Sequence, residues 1–120
     1  MKVLTETLCS ENISMEIVYY IGRSQSENFA AIDLGAPEDI WFHVAGESSC
    51  HVVAASPDDR KLNEKQMLTV VKRGALLCKQ HTNKVAKLKD VEISYARVKH
   101  VQKTDVPGKV IVGHSKSVYV

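Results

Sequence analysis

The residues best equipped for chemistry crowd into one stretch of this 120-residue chain, Asp39-Ile40-Trp41-Phe42-His43-Val44-Ala45-Gly46-Glu47-Ser48-Ser49-Cys50-His51-Val52. It holds the only tryptophan and two of the five histidines. An indole offers a stacking face for an unpaired base. Two imidazoles offer hydrogen bonds near neutral pH or an acid–base pair. Other chemistries fit less well. Zinc wants four Cys or His ligands at paired spacings, and His43, Cys50 and His51 do not supply them, so no metal and no cofactor is expected. Asp39, His43 and Ser49 could be drawn as an acyl-transfer set, but no strand-to-helix nucleophile elbow frames the serine. Cys50 reads as a small buried residue rather than a reactive thiol. No residue is assigned a catalytic role.

A second candidate lies at Gly22-Arg23-Ser24-Gln25-Ser26. A glycine turn opening a helix presents backbone N–H groups and a partial positive charge, a natural seat for phosphate. Arg23 could add a bidentate contact. The alternative is an ordinary capped helix. The third candidate is charge. Residues 1–59 hold two Lys or Arg against ten acids, a net of −8, whereas residues 60–120 hold fourteen against four, a net of +10. A segregated basic half suits a polyanion, with Lys84, Lys87, Lys99 and Lys103 as phosphate contacts. If the halves interleave in one fold, they neutralise each other instead.

Positioning these residues requires a hairpin. In a strand over 40–44, Ile40, Phe42 and Val44 share one face and Trp41 and His43 the other. His51 opens the return strand with Val53 and Ala55 on its parity, so a loop at 45–50 brings Trp41, His43 and His51 together. A capped edge of the core is the plainer reading. Around the hairpin, 2–9 and 14–21 read as strands. Ser24 with Glu27 starts a short helix that ends by Gly35. Pro57-Asp58-Asp59 forms a turn. Asn63 and Gln66 open a long helix to about residue 81, with Met67, Val70, Val71, Gly74, Leu77 and Cys78 on its buried face. A basic loop at 82–89 leads into a long strand at 90–101. A type II turn at Asp105-Val106-Pro107-Gly108 follows, then a last hairpin of 110–113 with 117–120. This order predicts a single α+β domain over 1–120, with a curved, mainly antiparallel sheet of about seven strands and two helices, one long and one short.

The length allows one core. The first twenty residues carry Glu6, Glu11 and Glu16, which argues against a signal peptide. No apolar run approaches the roughly 20 residues that span a bilayer. Cys9, Cys50 and Cys78 are odd in number and unpaired by spacing, so an intracellular, cytoplasmic setting without membrane contact is expected.

The motifs resemble the NFACT-R domain, a module named for predicted RNA binding, in its standalone eukaryotic form. Asp39, Trp41-Phe42-His43-Val44 and His51-Val52 match the family's central block. Gly22-Arg23, Asn28, Val91-Glu92-Ile93-Ser94-Tyr95, 99–103 and Pro107-Gly108 match its flanks. The family's commonest loop reads Pro-Gly-Ser-His, where this chain has Ser48-Ser49-Cys50-His51. The resemblance implies a non-enzymatic nucleic-acid-binding module. Its ligand would be RNA, either tRNA or ribosomal RNA, in translation or ribosome-associated quality control, with the large ribosomal subunit as a further candidate partner. On that reading Gly22, Arg23 and Ser24 hold phosphate and Trp41 stacks. His43, Ser49 and His51 supply hydrogen bonds, and Lys84, Lys87, Lys99 and Lys103 supply salt-dependent affinity. Two readings stay beside it. One is an enzyme acting on RNA or a nucleotide through the two histidines, the other a protein-interaction module that docks through the acidic half.

Overall fold

A computed structural model of the chain describes residues 1–56 and 61–120. The predicted turn at Pro57-Asp58-Asp59 lies outside the described residues. The order is β1 (Lys2–Ser10), β2 (Ile13–Gly22), α1 (Gln25–Leu34), β3 (Ile40–Val44), β4 (His51–Ala55) and α2 (Glu64–Gln80). Then come β5 (Glu92–Arg97), a 3-10 turn (Val98–His100), β6 (Val101–Lys103), β7 (Val110–Val112) and β8 (Lys116–Tyr119). Six strands form one antiparallel sheet in the order β1-β2-β4-β3-β5-β8, and β6 pairs with β7 in a separate ribbon. The α+β class holds. Among the described residues no helix is long and apolar enough to cross a membrane.

Strand parity sorts the core into two layers. Ile40, Phe42 and Val44 join Ile17, Tyr19 and Val52 beneath α2. Trp41 joins Val53 and Ala96 beneath α1, with Val98, Val101, Val110 and Val112 of the ribbon region packed alongside. α2 starts as expected: Asn63 Oδ1 accepts from the Gln66 N–H at 2.8 Å, and Gln66 Oε1 accepts from the Asn63 N–H at 3.0 Å. Its Gly74 has a packing reason, because a Cβ there would stand 2.3 Å from the Phe42 ring. The helix can therefore approach the sheet closely only without a side chain at that point.

Two expectations near the C-terminus need correction. The strand predicted over 90–101 stops at Arg97, and the chain turns through the 3-10 segment before β6 leaves the main sheet. Apolar residues shift from 91, 93 and 95 to 96 and 98 and then to 101, so the alternation breaks where the chain bends. The last two strands are not a hairpin either: β7 pairs with β6, and β8 returns to the main sheet beside β5. Local pattern marks extended backbone but carries no information on its partner.

Folding cancels part of the charge segregation of the sequence. Among the described residues, each side-chain ion pair joins an acid of the first half to a base of the second. Arg73 grips Glu6 at both carboxylate oxygens (2.6 and 2.9 Å). Lys65 approaches Glu11 (3.8 Å), Lys99 and Arg97 meet Glu38 (2.6 and 3.8 Å), and Lys103 meets Asp33 (2.6 Å). Pairs this exposed contribute little stability each, about 0–1 kcal/mol. They do engage Lys65, Arg73, Arg97, Lys99 and Lys103 with acids of the first half.

Candidate nucleic-acid interface

The β3–β4 hairpin is zipped only at its base. Ile40, Trp41 and Phe42 pair with Ala54, Val53 and Val52, and beyond them the strands diverge. Backbone groups at the open end find side chains instead of a ladder. The Val44 N–H donates to Ser49 Oγ (3.0 Å), the Cys50 N–H to Thr82 Oγ1 (3.3 Å) and the His51 N–H to Asn28 Oδ1 (3.0 Å). Buried amides must be paired, so these three contacts fix the shape of the mouth. Where the strands part, a cleft of about 550 Å³ opens, walled by the 45–49 loop, the start of α1 and the 106–110 segment.

On the cleft floor the three aromatic rings meet as parity requires. Trp41 and His43 lie parallel, with centroids 5.6 Å apart and planes within 6°. His51 stands edge-on to both, at 5.4 and 4.9 Å. The Trp41 indole N–H donates to His51 Nδ1 (3.2 Å), which makes Nδ1 an acceptor and leaves the imidazole proton on Nε2. His51 is 1% exposed, and burial, reinforced by the neighbouring His43, pushes its pKa from 6.5 down to about 3. Burial, with help from the Lys84 charge, also lowers His43. Desolvation penalises the charged imidazole in both cases. The floor is aromatic, polar and uncharged at neutral pH, and His51 carries no spare proton for acid catalysis there.

The predicted residues divide accordingly. Trp41, His43, Ser49 and His51 line the cleft together. Trp41, however, is 2% exposed, with His43 on one face and its N–H committed to His51, so it cannot itself receive a base. The half-buried ring that reaches the cleft is His43. The Ser49 hydroxyl is also spent within the loop, accepting from Val44 and donating to the Cys50 carbonyl (2.9 Å). Gly22, Arg23 and Ser24 do not line the cleft. Ser24 caps the Glu27 N–H at 3.2 Å, while the Glu27 carboxylate accepts the Arg23 N–H at 3.0 Å. The helix start therefore carries a carboxylate of its own, whose negative charge competes with a phosphate at the seat expected there. Gly22 is needed because any Cβ would strike Asn28 at 2.5 Å.

The lysines divide too. Lys84 acts on His43 electrostatically and has no ion-pair partner among the described residues. Lys87 is exposed in the same loop. Lys99 and Lys103 lie off the cleft in ion pairs with Glu38 and Asp33, and Lys103 also sits 5.5 Å over the Phe29 ring. Lys109 had not been singled out, and it lines the cleft directly. Two further residues, Asn28 and Gln25, were given no structural role from the sequence. Asn28 is 6% exposed and ties α1 to the loop through the His51 N–H and the Ser49 carbonyl (3.4 Å). Its signal was a polar residue at helical spacing from buried Ala31 and Ile32. Gln25 packs against Gly108, whose φ of +78° follows Pro107 in a turn closed by the Lys109 N–H on the Val106 carbonyl (3.0 Å). That is the Pro-Gly order of a type II turn, running Val106–Lys109, one residue later than the sequence suggested, and it brings the 106–110 segment to the cleft.

Comparison with known proteins gives consistent results. The sequence profile of the NFACT protein RNA binding domain matches residues 8–114. Coiled-coil domain-containing protein 25 of Danio rerio is 32% identical over 87 residues, covering 71% of this chain and 41% of that protein. The Dictyostelium discoideum homolog is 32% identical over 92 residues, covering 77% and 44%. The chain thus spans less than half the length of these relatives. Among solved structures, the C-terminal part of the fibronectin/fibrinogen-binding protein from Streptococcus suis superposes with a TM-score of 0.72. That match covers 87% of this chain and 40% of the other at 20% identity, and it shows a shared fold.

Proposed function

The chain belongs to the family of NFACT RNA-binding domains, and from that premise we propose that it binds RNA across the cleft at the open end of the β3–β4 hairpin. tRNA or ribosomal RNA is the ligand we infer, in translation or ribosome-associated quality control in the cytoplasm, and the large ribosomal subunit is a candidate partner. The module binds without catalysing. The observation that carries this reading is the pairing of an uncharged aromatic floor with Lys109 at its wall and Lys84 near His43. Bases gain from a dry ring surface, while phosphates gain from cations that can release counterions.

The test is a salt series of tRNA binding followed by fluorescence anisotropy. Affinity should fall steeply with salt. Lys84→Ala and Lys109→Ala should each lower the slope of log K against log salt by roughly 0.7–0.9, one phosphate contact apiece. Lys99→Ala and Lys103→Ala should change it less, because Glu38 and Asp33 already engage those ammonium groups. Binding that is flat between low and physiological salt, or four equal slopes, would overturn the assignment.

A further inference from the structure

We propose that the cleft holds a slot for a single unpaired nucleobase, stacked on the face of His43 that points away from Trp41. This rests on the RNA-binding reading and adds to it which part of the nucleic acid enters. Along β3 the residues facing the cleft are Trp41 and His43, and Ala45 continues the line, its N–H still bonded to the Glu92 carbonyl at 3.0 Å. Same-face neighbours on a strand stand about 6.6–7 Å apart. Trp41 covers one face of the imidazole, ring parallel to ring. At the next step the chain offers only a methyl group. The indole–imidazole stack therefore ends at a gap where a third ring would lie, and that gap opens into the cleft that His43, Ala45 and Ser94 line.

What surrounds the gap favours a base over a phosphate. The floor carries no cation: His51 is edge-on and neutral, and His43 is held towards the neutral form. The nearby side chains are largely committed elsewhere. Asn28 spends its amide on the Ser49 carbonyl and its oxygen on the His51 N–H, and the Ser49 hydroxyl is used within the loop. Gln25, Ser94 and Ser115 line other parts of the cleft, but the ring of His43 itself offers only a stacking surface, so the slot takes the π-face that every base has. Recognition is sequence-tolerant. The attached sugar–phosphate would leave the cleft towards Lys109.

The experiment compares two RNA hairpins of equal charge, each with a three-nucleotide 3′ overhang, one carrying bases and the other abasic. Anisotropy titrations at fixed salt should show the base-bearing overhang bound about ten-fold more tightly or better, the range one stacked base supplies. Changing the overhang among A, C and U should matter less than removing the bases. His43→Ala should abolish the preference, and His43→Phe should retain it. Ala45→Leu fills the slot against His43 and leaves the three aromatic residues in place, so it should also abolish the preference in a protein with unchanged circular dichroism. Measurable but equal affinity for the two hairpins in the unmodified protein would overturn the slot and leave RNA binding standing. Failure to bind either hairpin would overturn both.

Discussion

Acidification should weaken this protein well before its carboxylates begin to protonate, because of His51. In the folded chain His51 is buried with Nδ1 accepting the Trp41 N–H, and its pKa lies at about 3 instead of 6.5. On unfolding it regains an ordinary imidazole. Between these values the unfolded state binds one proton more than the folded state, so stability rises with pH across that window and is lost as pH falls through it. One proton per molecule is worth about 1.4 kcal/mol per pH unit, so the drop from pH 6.5 to about 4.5 should remove roughly 2–3 kcal/mol. Continued towards pH 3, the loss reaches about 4–5 kcal/mol, the scale of a small domain's whole stability. His43 is shifted in the same direction and adds to it.

The carboxylates act elsewhere. Glu27 and Glu38 are lowered from 4.5, Glu27 chiefly by its hydrogen bond to the chain's amino group and Glu38 by the one from Lys99. What they contribute is lost only as pH drops below their unfolded value. Asp39 is raised by burial and opposes them. Urea denaturation followed by far-UV circular dichroism at about pH 7, 6 and 5 isolates the histidine window. His51→Gln keeps an acceptor for the Trp41 N–H and removes the titration, so its loss of stability over that range should be clearly smaller than in the parent protein. If the parent midpoint is flat from pH 6.5 to 5, or if His51→Gln follows the same slope, the account of a buried, indole-bound imidazole is wrong.

Two other substitutions test the positioning of the cleft. Gly→Ala within a helix ordinarily stabilises by up to about 1 kcal/mol. Gly74→Ala should destabilise instead, by about 1–3 kcal/mol, because the new methyl meets the Phe42 ring at 2.3 Å; the urea midpoint gives the sign, and adding Phe42→Leu should restore part of the loss. Asn28→Ala strands the buried His51 N–H and should cost about 1–3 kcal/mol. An unchanged urea midpoint would show that this hydrogen bond does not hold the loop.

How much of this was legible in the sequence depends on whether the cause was local. The Asn63–Gln66 box is written within four residues, and the α2 stripe within five turns, so both came through. The meeting of Trp41, His43 and His51 followed from period-two parity and one short loop. The burial of Trp41 did not, since it depends on α1 and the β6–β7 region covering the second face of the sheet. A sheet covered on both sides leaves ligands access only at its ends, which is where the cleft lies. The carboxylate at the helix start was half visible: the Ser24–Glu27 pair announced a cap, and a cap that brings its own carboxylate competes with any phosphate. Lys99 and Lys103 could not be told from Lys84 by composition, because their acidic partners lie about sixty to seventy residues away in sequence.

These partnerships explain how a chain with such a divided charge can present a restricted binding surface. Pairing across the halves neutralises Glu6, Asp33 and Glu38, which would otherwise repel a polyanion, and spends Arg73, Lys99 and Lys103 in doing so. The remaining cations near the cleft, Lys84 and Lys109, stand beside an uncharged aromatic floor. Lys84 also helps keep that floor neutral, since its charge disfavours a protonated His43. A protonated imidazole would draw phosphate into the space beside Ala45, whereas a neutral one leaves it to a ring. On the proposed reading the same lysine would do two things: attract the backbone and reserve the slot for the base. Replacing Lys84 by Glu should raise the His43 pKa, measurable by NMR titration of its ring protons, and should weaken RNA binding at the same time. An unchanged His43 titration would separate the two effects and remove Lys84 from the design of the floor.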